Sequence, residues 1–260
     1  MYDQFSLDYD RFVDWPGRLS FELPFIEAQI GKERSLPYAA GVLDAACATG
    51  WHAIALAQRG YQTAGADLSA PMVALARQNA AGAGVEVRFE PAGFGRLAET
   101  FGEASVDALV CLGNSLPHLL SPAELHAALL DFARCLKPGG RLIVQNRNFD
   151  LVMAKRLRWM EPQSQRSGEA EWLFLRFYDF DADGLITFNI TALQRQGGEA
   201  WQQTVHTTRL RPLLQAELLQ ALDEAGFGSV ECYGSLGGEQ FEAGRSGNLV
   251  VVARKDREHR

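Results

Sequence analysis

Hydrophobic and polar positions follow two alternating rhythms from about residue 40, and these rhythms predict most of the secondary structure. Short apolar runs, which are typical of buried parallel strands, predict strands at 41–45, 61–66, 85–89, 106–112 and 141–145. Helical patterns lie between these runs. Two of them begin at Ser69 and Ser121, each followed closely by a proline that fits the first helical turn. Strands that alternate with helices predict an α/β fold with helices on both faces of the sheet.

The pattern changes after the fifth strand, where strand-like segments follow one another without helices between them. The predicted strands are 173–181, 185–195 and 201–210. Asp183-Gly184 and Gly197-Gly198 are turn signals between them, so we expect an antiparallel β-meander inserted after strand five. A helix at 213–225 and strands near residues 230 and 250 complete a predicted seven-stranded sheet.

These patterns divide the chain into four predicted units. They are an N-terminal helical segment at 1–40, an α/β core at 41–150, the antiparallel β insertion at 151–211, and a C-terminal helix with the last two strands of the sheet at 212–254. The composition, 47% hydrophobic and 22% charged over 260 residues, is that of a globular chain that can bury a sizeable core.

The net charge of the chain indicates whether a nucleic-acid partner is expected. The chain has 25 Lys and Arg residues against 32 Asp and Glu residues, a net charge of −7, whereas nucleic-acid-binding proteins usually present a basic face. We therefore expect no nucleic-acid partner. No apolar run approaches the ~18 residues of a membrane-spanning helix, and the N-terminus lacks the parts of a signal peptide. We expect a cytoplasmic protein without a membrane partner. The oligomeric state, including a homo-oligomer, stays open.

The four cysteines are scattered along the chain, at Cys47, Cys111, Cys135 and Cys232. They form no C-x-x-C pair and have no histidine cluster nearby, so their spacing predicts neither a zinc site nor a disulfide framework. We expect free thiols, mostly buried, and no metal.

Residues 42–50, Val-Leu-Asp-Ala-Ala-Cys-Ala-Thr-Gly, join the first strand to the next helix through small side chains. Such a turn lets backbone N–H groups approach a ligand at a helix N-terminus. A dinucleotide-binding turn has the pattern G-x-G-x-x-G, but this turn has one glycine, Gly50, and an acid, Asp44, at its entrance. Negative charge is unfavourable beside a pyrophosphate and suits a cationic ligand. Nicotinamide-dependent reduction is therefore the least favoured function.

A second acid, Asp67, ends the second strand, where a carboxylate can accept hydrogen bonds from the ribose hydroxyls of an adenosine. Two acids in these places fit S-adenosylmethionine, whose sulfonium and ammonium groups are positively charged. The alternative that stays open is a doubly wound domain in which Asp44 and Asp67 are only acids near helices.

In these features the chain resembles the class I S-adenosylmethionine-dependent methyltransferases, which share a D-x-[GA]-x-G-x-G turn and a downstream ribose-binding acid. Two segments are similar to motifs of the glycine and sarcosine N-methyltransferases: 111–119, Cys-Leu-Gly-Asn-Ser-Leu-Pro-His-Leu, and Arg147-Asn148-Phe149-Asp150. The resemblance implies a Rossmann-like methyltransferase sheet and S-adenosylmethionine as cofactor, with S-adenosylhomocysteine as product. It also implies in-line methyl transfer to a small molecule, most plausibly to an amino-acid-like amine.

The resemblance also implies roles for individual residues. Asp67 would bind the ribose, Met72 and Phe94 would flank the adenine, the Leu112 carbonyl would face the methionine amino group, and Arg18 would reach the methionine carboxylate. The full predicted set around the cofactor is Tyr9, Trp15, Arg18, Asp44, Ala46, Cys47, Ala48, Gly50, Asp67, Leu68, Met72, Gly93, Phe94, Leu112 and Gly113. Tyr9, Trp15 and Arg18 are expected to form a lid.

The predicted acceptor site follows in the same way. Arg147 would hold a carboxylate of the acceptor, with Asn114 beside the reacting amine, and these two are the candidate catalytic residues. His118 lies near them in the motif, and Arg176 and Tyr178 are polar residues of the β insertion, which we expect to form a roof over the substrate.

Two positions depart from the family pattern and motivate an alternative. Ala48 replaces the glycine of closest approach, and Gly93 stands where the family usually offers Asp or Asn to the adenine. A regulatory protein that binds the cofactor but has little or no turnover therefore stays open. Methylation of a nucleic-acid base is a further alternative, although Asn114-Ser115-Leu116-Pro117 replaces the N/D-P-P-Y/F tetrapeptide of DNA methyltransferases.

Overall fold

A seven-stranded sheet forms the centre of the protein, with the strand order β10-β11-β5-β4-β1-β2-β3. The structure is a computed structural model that describes residues 9–11, 13–31 and 40–256. The strands of this sheet are β1 (Gly41–Asp44), β2 (Gln62–Asp67), β3 (Arg88–Pro91), β4 (Val106–Cys111), β5 (Leu136–Arg147), β10 (Phe227–Tyr233) and β11 (Asn248–Lys255). β11 runs antiparallel to both of its neighbours, and the other pairs are parallel. The predicted Rossmann-like sheet is confirmed.

Seven α-helices accompany the two sheets of the described chain. They are α1 (Trp15–Gly31), α2 (Trp51–Ala57), α3 (Ala70–Ala83), α4 (Leu97–Phe101), α5 (Pro122–Cys135), α6 (Phe149–Lys155) and α7 (Gln215–Glu224). Alternate residues of the central strands point to opposite faces. On one face they join a buried cluster with α1 and α2, and on the other face a cluster with α5 and α7. Helices thus cover both faces, as predicted.

The two helix N-termini predicted at Ser69 and Ser121 are confirmed. The Ser69 side chain accepts a hydrogen bond from the backbone N–H of Met72, and Ser121 forms a capping box with Glu124. These bonds satisfy N–H groups that have no partner inside a helix, which explains why α3 and α5 begin where they do.

Two strand predictions were wrong in detail. β3 begins at Arg88 rather than at residue 85, because Val85 and Val87 pack against a buried cluster of α2 and α3 and do not pair with β2. β5 begins at Leu136 rather than at residue 141, so that it includes residues 137–140. There the pairing of β4 with β5 shifts register between Val106 and Ala108.

The β insertion forms a sheet of its own, with the order β6-β7-β8-β9, which we call the second sheet. Its strands are β6 (Gln163–Ser167), β7 (Ala170–Phe180), β8 (Ile186–Gln196) and β9 (Gln202–Leu210). All its pairs are antiparallel, so the predicted meander is confirmed. The strand β6 was not predicted. It is short and largely exposed, so it carries no hydrophobic alternation.

Part of the predicted N-terminal unit, residues 1–8, 12 and 32–39, lies outside the described residues. Its described part consists of the helical residues 9–11 and of α1, whose Leu23, Ile26 and Ile30 pack into the core. No helix in the described ranges is long and apolar enough to cross a membrane. The boundaries of the four predicted units stay a prediction.

Candidate active site

A cavity of about 340 Å³ lies at the carboxyl ends of β1, β2, β4 and β5, where ligands bind in open α/β sheets. The core supplies Ala46, Ala48, Asp67, Met72, Leu112, Gly113, Asn114, Ser115, His118, Gln145, Arg147 and Asn248. The N-terminal segment supplies Tyr9, Val13, Arg18 and Glu22. Met160 and four residues of the second sheet, Arg176, Tyr178, Phe188 and Ile190, complete the wall. Three separate parts of the chain therefore enclose one site.

The turn after β1 is held to the end of β2. The Cys47 N–H donates to the Ala66 carbonyl over 2.8 Å, and the Ala48 N–H donates to Asp67 Oδ2 over 2.9 Å. The other carboxylate oxygen, Asp67 Oδ1, accepts from the backbone N–H of Ser69 over 2.9 Å. These bonds fix the orientation of the Asp67 carboxylate at the cavity wall.

Backbone conformation explains the single glycine of this turn. Gly50 has φ +85°, and a Cβ there would lie 2.6 Å from the ring of Phe89 and 2.9 Å from Cβ of Ala76. Only glycine can adopt this positive φ easily and also fit the space beside Phe89 and Ala76, because it has no Cβ. Ala48 also has a positive φ, +46°, which is unfavourable for a residue with a side chain.

Asp44 lies at the end of β1 and is 3% exposed. Burial raises the pKa of Asp44 to about 6, against the opposing influence of His52. The carboxylate is thus a buried negative charge that a nearby positive charge would stabilise.

The described N-terminal residues are bonded to the same turn through Asp10. The Asp10 carboxylate accepts from Trp15 Nε1 over 2.8 Å and from Thr49 Oγ1 over 2.6 Å. The Trp15 ring is buried and lies edge-on to His52 at 5.5 Å. Tyr9 and Arg18 are held against the cavity by this packing.

At the opposite end of the cavity two arginines lie close together. Burial lowers the pKa of Arg176, and the positive charge of Arg147 lowers it further. Burial raises the pKa of Tyr178 to about 12, against the influence of both arginines. Arg147 Nε is buried without a hydrogen-bond partner among the described residues. This end of the cavity therefore favours an anion.

A hydrogen-bond network supports Arg147. The Arg147 N–H donates to Asn114 Oδ1 over 2.9 Å, and the Asn114 N–H donates to the Gln145 carbonyl over 3.1 Å. The Gln145 side chain accepts from the Gly113 N–H over 2.8 Å and donates to Asn248 Oδ1 over 3.1 Å. The loop after β4 is thereby bound to the ends of β5 and β11.

Comparisons with known proteins agree with this geometry. The model of a methyltransferase domain family matches residues 42–140. A glycine/sarcosine N-methyltransferase of Aphanothece halophytica is 29% identical over 248 residues, which are 95% of this chain and 87% of that protein. A glycine/sarcosine N-methyltransferase of Halorhodospira halochloris is 32% identical over 151 residues, which are 58% of this chain and 54% of that protein.

A solved structure shares the fold along almost the whole chain. It is an S-adenosylmethionine-dependent methyltransferase from Clostridium acetobutylicum, with a TM-score of 0.77, 18% identity and coverage of 98% of this chain and 99% of that one. The family match over residues 42–140 and the similarity to these relatives support a class I S-adenosylmethionine-dependent methyltransferase. The match to the second relative spans about half of that relative's length.

Most residues predicted for the methyltransferase site line the cavity. They are Tyr9, Arg18, Ala46, Ala48, Asp67, Met72, Leu112, Gly113, Asn114, His118, Arg147, Arg176 and Tyr178. The Leu112 carbonyl accepts a hydrogen bond from the Ser115 hydroxyl over 2.8 Å. Burial lowers the pKa of His118 to about 4, so this histidine is neutral near pH 7.

Other predicted residues are not brought to the cavity wall. Trp15, Asp44, Cys47 and Gly50 lie behind it, as buried supports of the turn and of the N-terminal segment. Leu68 is 83% exposed, and Gly93 lies beside it. The Phe94 ring packs edge-on against Phe132 of α5 at 5.3 Å, because the loop after β3 directs it to the core.

Several lining residues were missed by the sequence analysis. Glu22 follows Arg18 by one helical turn, and Gln145 precedes Arg147 by two positions on the same strand, so both carried a usable signal. Phe188 and Ile190 could not be found without the register of the second sheet, in which they pair with Tyr178 and Arg176.

The site fits its cofactor, S-adenosylmethionine. Ala46, Ala48 and Gly113 would give a wall of small residues to the methionine moiety, and Asp67 would offer a fixed carboxylate to the ribose. Asp44 and Glu22 add negative charge near the positions that a sulfonium and an ammonium would take. Arg18 is the residue that would meet the carboxylate.

Proposed function

We propose that this methyltransferase methylates the amine of a small acceptor that carries a carboxylate, as glycine-like amino acids do. The observation that carries the proposal is the pair Arg147 and Arg176 in one buried end of the cavity. Two neighbouring, half-buried guanidinium groups repel each other, and an acceptor carboxylate between them would reduce that repulsion.

S-adenosylmethionine supplies a methyl group on a sulfonium that already contains its leaving group. The residues of this chain then have to bind the donor and the acceptor, orient them for transfer, and exclude water. Arg147 and Arg176 hold the acceptor carboxylate, and Asn114 fixes the backbone of Arg147. Tyr178, Phe188 and Ile190 close the cavity from the second sheet. Neutral His118 adds no positive charge beside an amine that has to arrive unprotonated.

The likeness to glycine/sarcosine N-methyltransferases supports an amine as nucleophile. The test compares carboxylate and amide forms of one acceptor. Formation of S-adenosylhomocysteine is measured with glycine, sarcosine and larger amino acids, and with glycinamide and an amino sugar as acceptors without a carboxylate. We expect turnover with at least one amino acid and not with its amide.

The variant Arg147→Ala should raise KM for the amino acid by roughly 30- to 150-fold, since a charge-assisted bond contributes about 2–3 kcal/mol. The matched control is Arg166→Ala, which removes an exposed arginine paired with Glu171 in the second sheet and should leave KM unchanged. Equal rates with the amino acid and its amide, or turnover of the amino sugar alone, would overturn the proposal. Cofactor binding without turnover of any acceptor would favour the regulatory alternative.

A further inference from the structure

The side chains of Arg18, Glu22 and His52 form a hydrogen-bonded chain that leads from the core to the cavity. Arg18 Nε donates to both oxygens of Glu22, over 3.0 and 3.1 Å. His52 Nε2 lies 2.6 Å from the second of these oxygens, Glu22 Oε2. Arg18 and Glu22 are one turn apart on α1, and His52 lies on α2, so the chain bridges two helices.

The hydrogen-bond pattern determines which edge of Arg18 stays available. Glu22 occupies the Nε edge, and a guanidinium group has further donors on its two terminal nitrogens. Nη2 of Arg18 lies 3.9 Å from the place that a Cβ on Gly113 would take. The terminal end of Arg18 thus points to the loop after β4, at the methionine end of the cavity.

Glu22 is itself held in its ionised form and in one orientation. Burial acts to raise the pKa of Glu22, but the hydrogen bond from His52 and the charge of Arg18 outweigh it, and the pKa is lowered. An ionised carboxylate only accepts hydrogen bonds, so the proton between the two side chains lies on His52 Nε2. His52 is 4% exposed and packs edge-on to Trp15, which fixes its ring.

Holding an arginine in place reduces the cost of binding to it. A free arginine side chain loses rotamer entropy when it is immobilised, and a side chain that is already fixed avoids most of that loss. The Trp15 ring adds a second restraint, since the Arg18 guanidinium lies 5.3 Å from its centroid.

We infer that Glu22 and His52 are positioning residues, which hold Arg18 so that its terminal nitrogens bind the carboxylate of the cofactor's methionine moiety. This inference rests on the premise that Arg18 binds that carboxylate. It assigns no contact with the reacting atoms to either residue.

The test uses two cofactor-like ligands that differ in the amino-acid part. S-adenosylhomocysteine has the carboxylate, and 5′-methylthioadenosine has the same nucleoside thioether without the amino-acid part. Dissociation constants of both are measured by calorimetry for the full chain. Glu22→Gln should weaken binding of S-adenosylhomocysteine by about tenfold and binding of methylthioadenosine by less than about twofold.

A matched control and a conservative variant separate positioning from packing. Glu27→Gln removes another acid of α1, which pairs with Arg59 in the turn after α2 and lies away from the cavity, and it should change neither constant. His52→Ala should act in the same direction as Glu22→Gln. His52→Gln should restore part of the loss, because its amide can still donate to Glu22.

The variant Arg18→Ala completes a double-mutant cycle. In its background, Glu22→Gln should have no further effect on S-adenosylhomocysteine. If Glu22→Gln still weakens that ligand without Arg18, Glu22 contacts the ligand directly and the inference is wrong. Equal weakening of both ligands would also overturn it, since that is the result of a disturbed fold. If Arg18→Ala leaves both constants unchanged, Arg18 does not bind the carboxylate of the cofactor. That outcome is distinct from a failure of the proposed function, which would appear as no methyl transfer to amino acids.

Discussion

The carboxylate of Asp67 accepts a hydrogen bond from the backbone N–H of Ala48 over 2.9 Å. These residues lie at the carboxyl ends of two neighbouring strands, β2 and β1, and both line the cavity. The bond holds Ala48 at φ +46°, a conformation that glycine adopts more easily. The turn after β1 is therefore fixed in a strained form by the residue that would bind the ribose.

Replacing Ala48 by glycine should tighten cofactor binding. The change removes a methyl group from the wall and relieves the positive φ, so we expect S-adenosylhomocysteine to bind about fivefold more tightly, equivalent to about 1 kcal/mol. Calorimetry measures the effect. Ala46→Gly removes a methyl group from the same wall without a positive φ and serves as the control. Unchanged or weaker binding by Ala48→Gly would show that the family's glycine is not needed here.

Removing the Asp67 carboxylate should weaken every ligand that contains the ribose. Asp67→Ala should lower the affinity for S-adenosylhomocysteine and for methylthioadenosine alike, by about 30-fold, because charge-assisted hydrogen bonds contribute roughly 2 kcal/mol. Asp183→Ala, at an exposed ion pair with Arg209, should alter neither affinity. Unchanged uptake of methylthioadenosine would remove the basis for placing the ribose at Asp67.

Cofactor affinity should depend on pH through Asp44. Burial raises the pKa of Asp44 to about 6, His52 and Arg18 oppose this, and Asp67 adds to it. A cationic ligand favours the ionised carboxylate, so its binding lowers this pKa. Affinity for S-adenosylmethionine should therefore be constant above about pH 7 and fall as the pH drops below about 6. Calorimetry across that range checks the sign.

The variant Asp44→Asn provides the control for this pH dependence. It should bind S-adenosylmethionine more weakly than the natural chain at about pH 7.5, and its affinity should be nearly independent of pH down to about pH 5. A natural chain whose affinity does not change over this range would contradict the prediction.

Gly50→Ala should destabilise the fold strongly. The new methyl group would meet the Phe89 ring and Ala76, and the backbone has φ +85°, so we expect a loss of about 2–4 kcal/mol in the free energy of unfolding. Gly60 has a similar φ, +89°, with nothing within 4 Å of an added Cβ. Gly60→Ala should cost only about 1 kcal/mol. Denaturant unfolding measures both, and equal losses would show that space at Gly50 is not limiting.

The sequence predicted the central sheet because its strands are buried on both faces and therefore form continuous apolar runs. It predicted the first turn, Asp67 and Arg147 because the carboxyl ends of parallel strands meet at one edge. The direction of the Phe94 side chain could not be predicted in this way. The direction of a side chain in the loop after β3 depends on tertiary packing, here against Phe132, and no local pattern specifies it.

The same limit explains the missed residues. Glu22 could be placed beside Arg18 by helical spacing, but its bond to His52 joins two helices, and a pair so distant in sequence leaves no periodic signal. Asn248 meets Gln145 because β11 pairs with β5, which becomes evident only when the strand order is known.

The second sheet pairs no strand with the seven-stranded sheet in the described part of the chain, yet it supplies Arg176, Tyr178, Phe188 and Ile190 to the cavity. The side chains proposed to bind the donor lie elsewhere, on the turn after β1, at the end of β2 and on α1. A lineage could therefore change its acceptor by altering residues of β7 and β8. Substitutions in these strands would change which acceptor receives the methyl group, while the residues proposed to bind the methyl donor would be inherited unchanged.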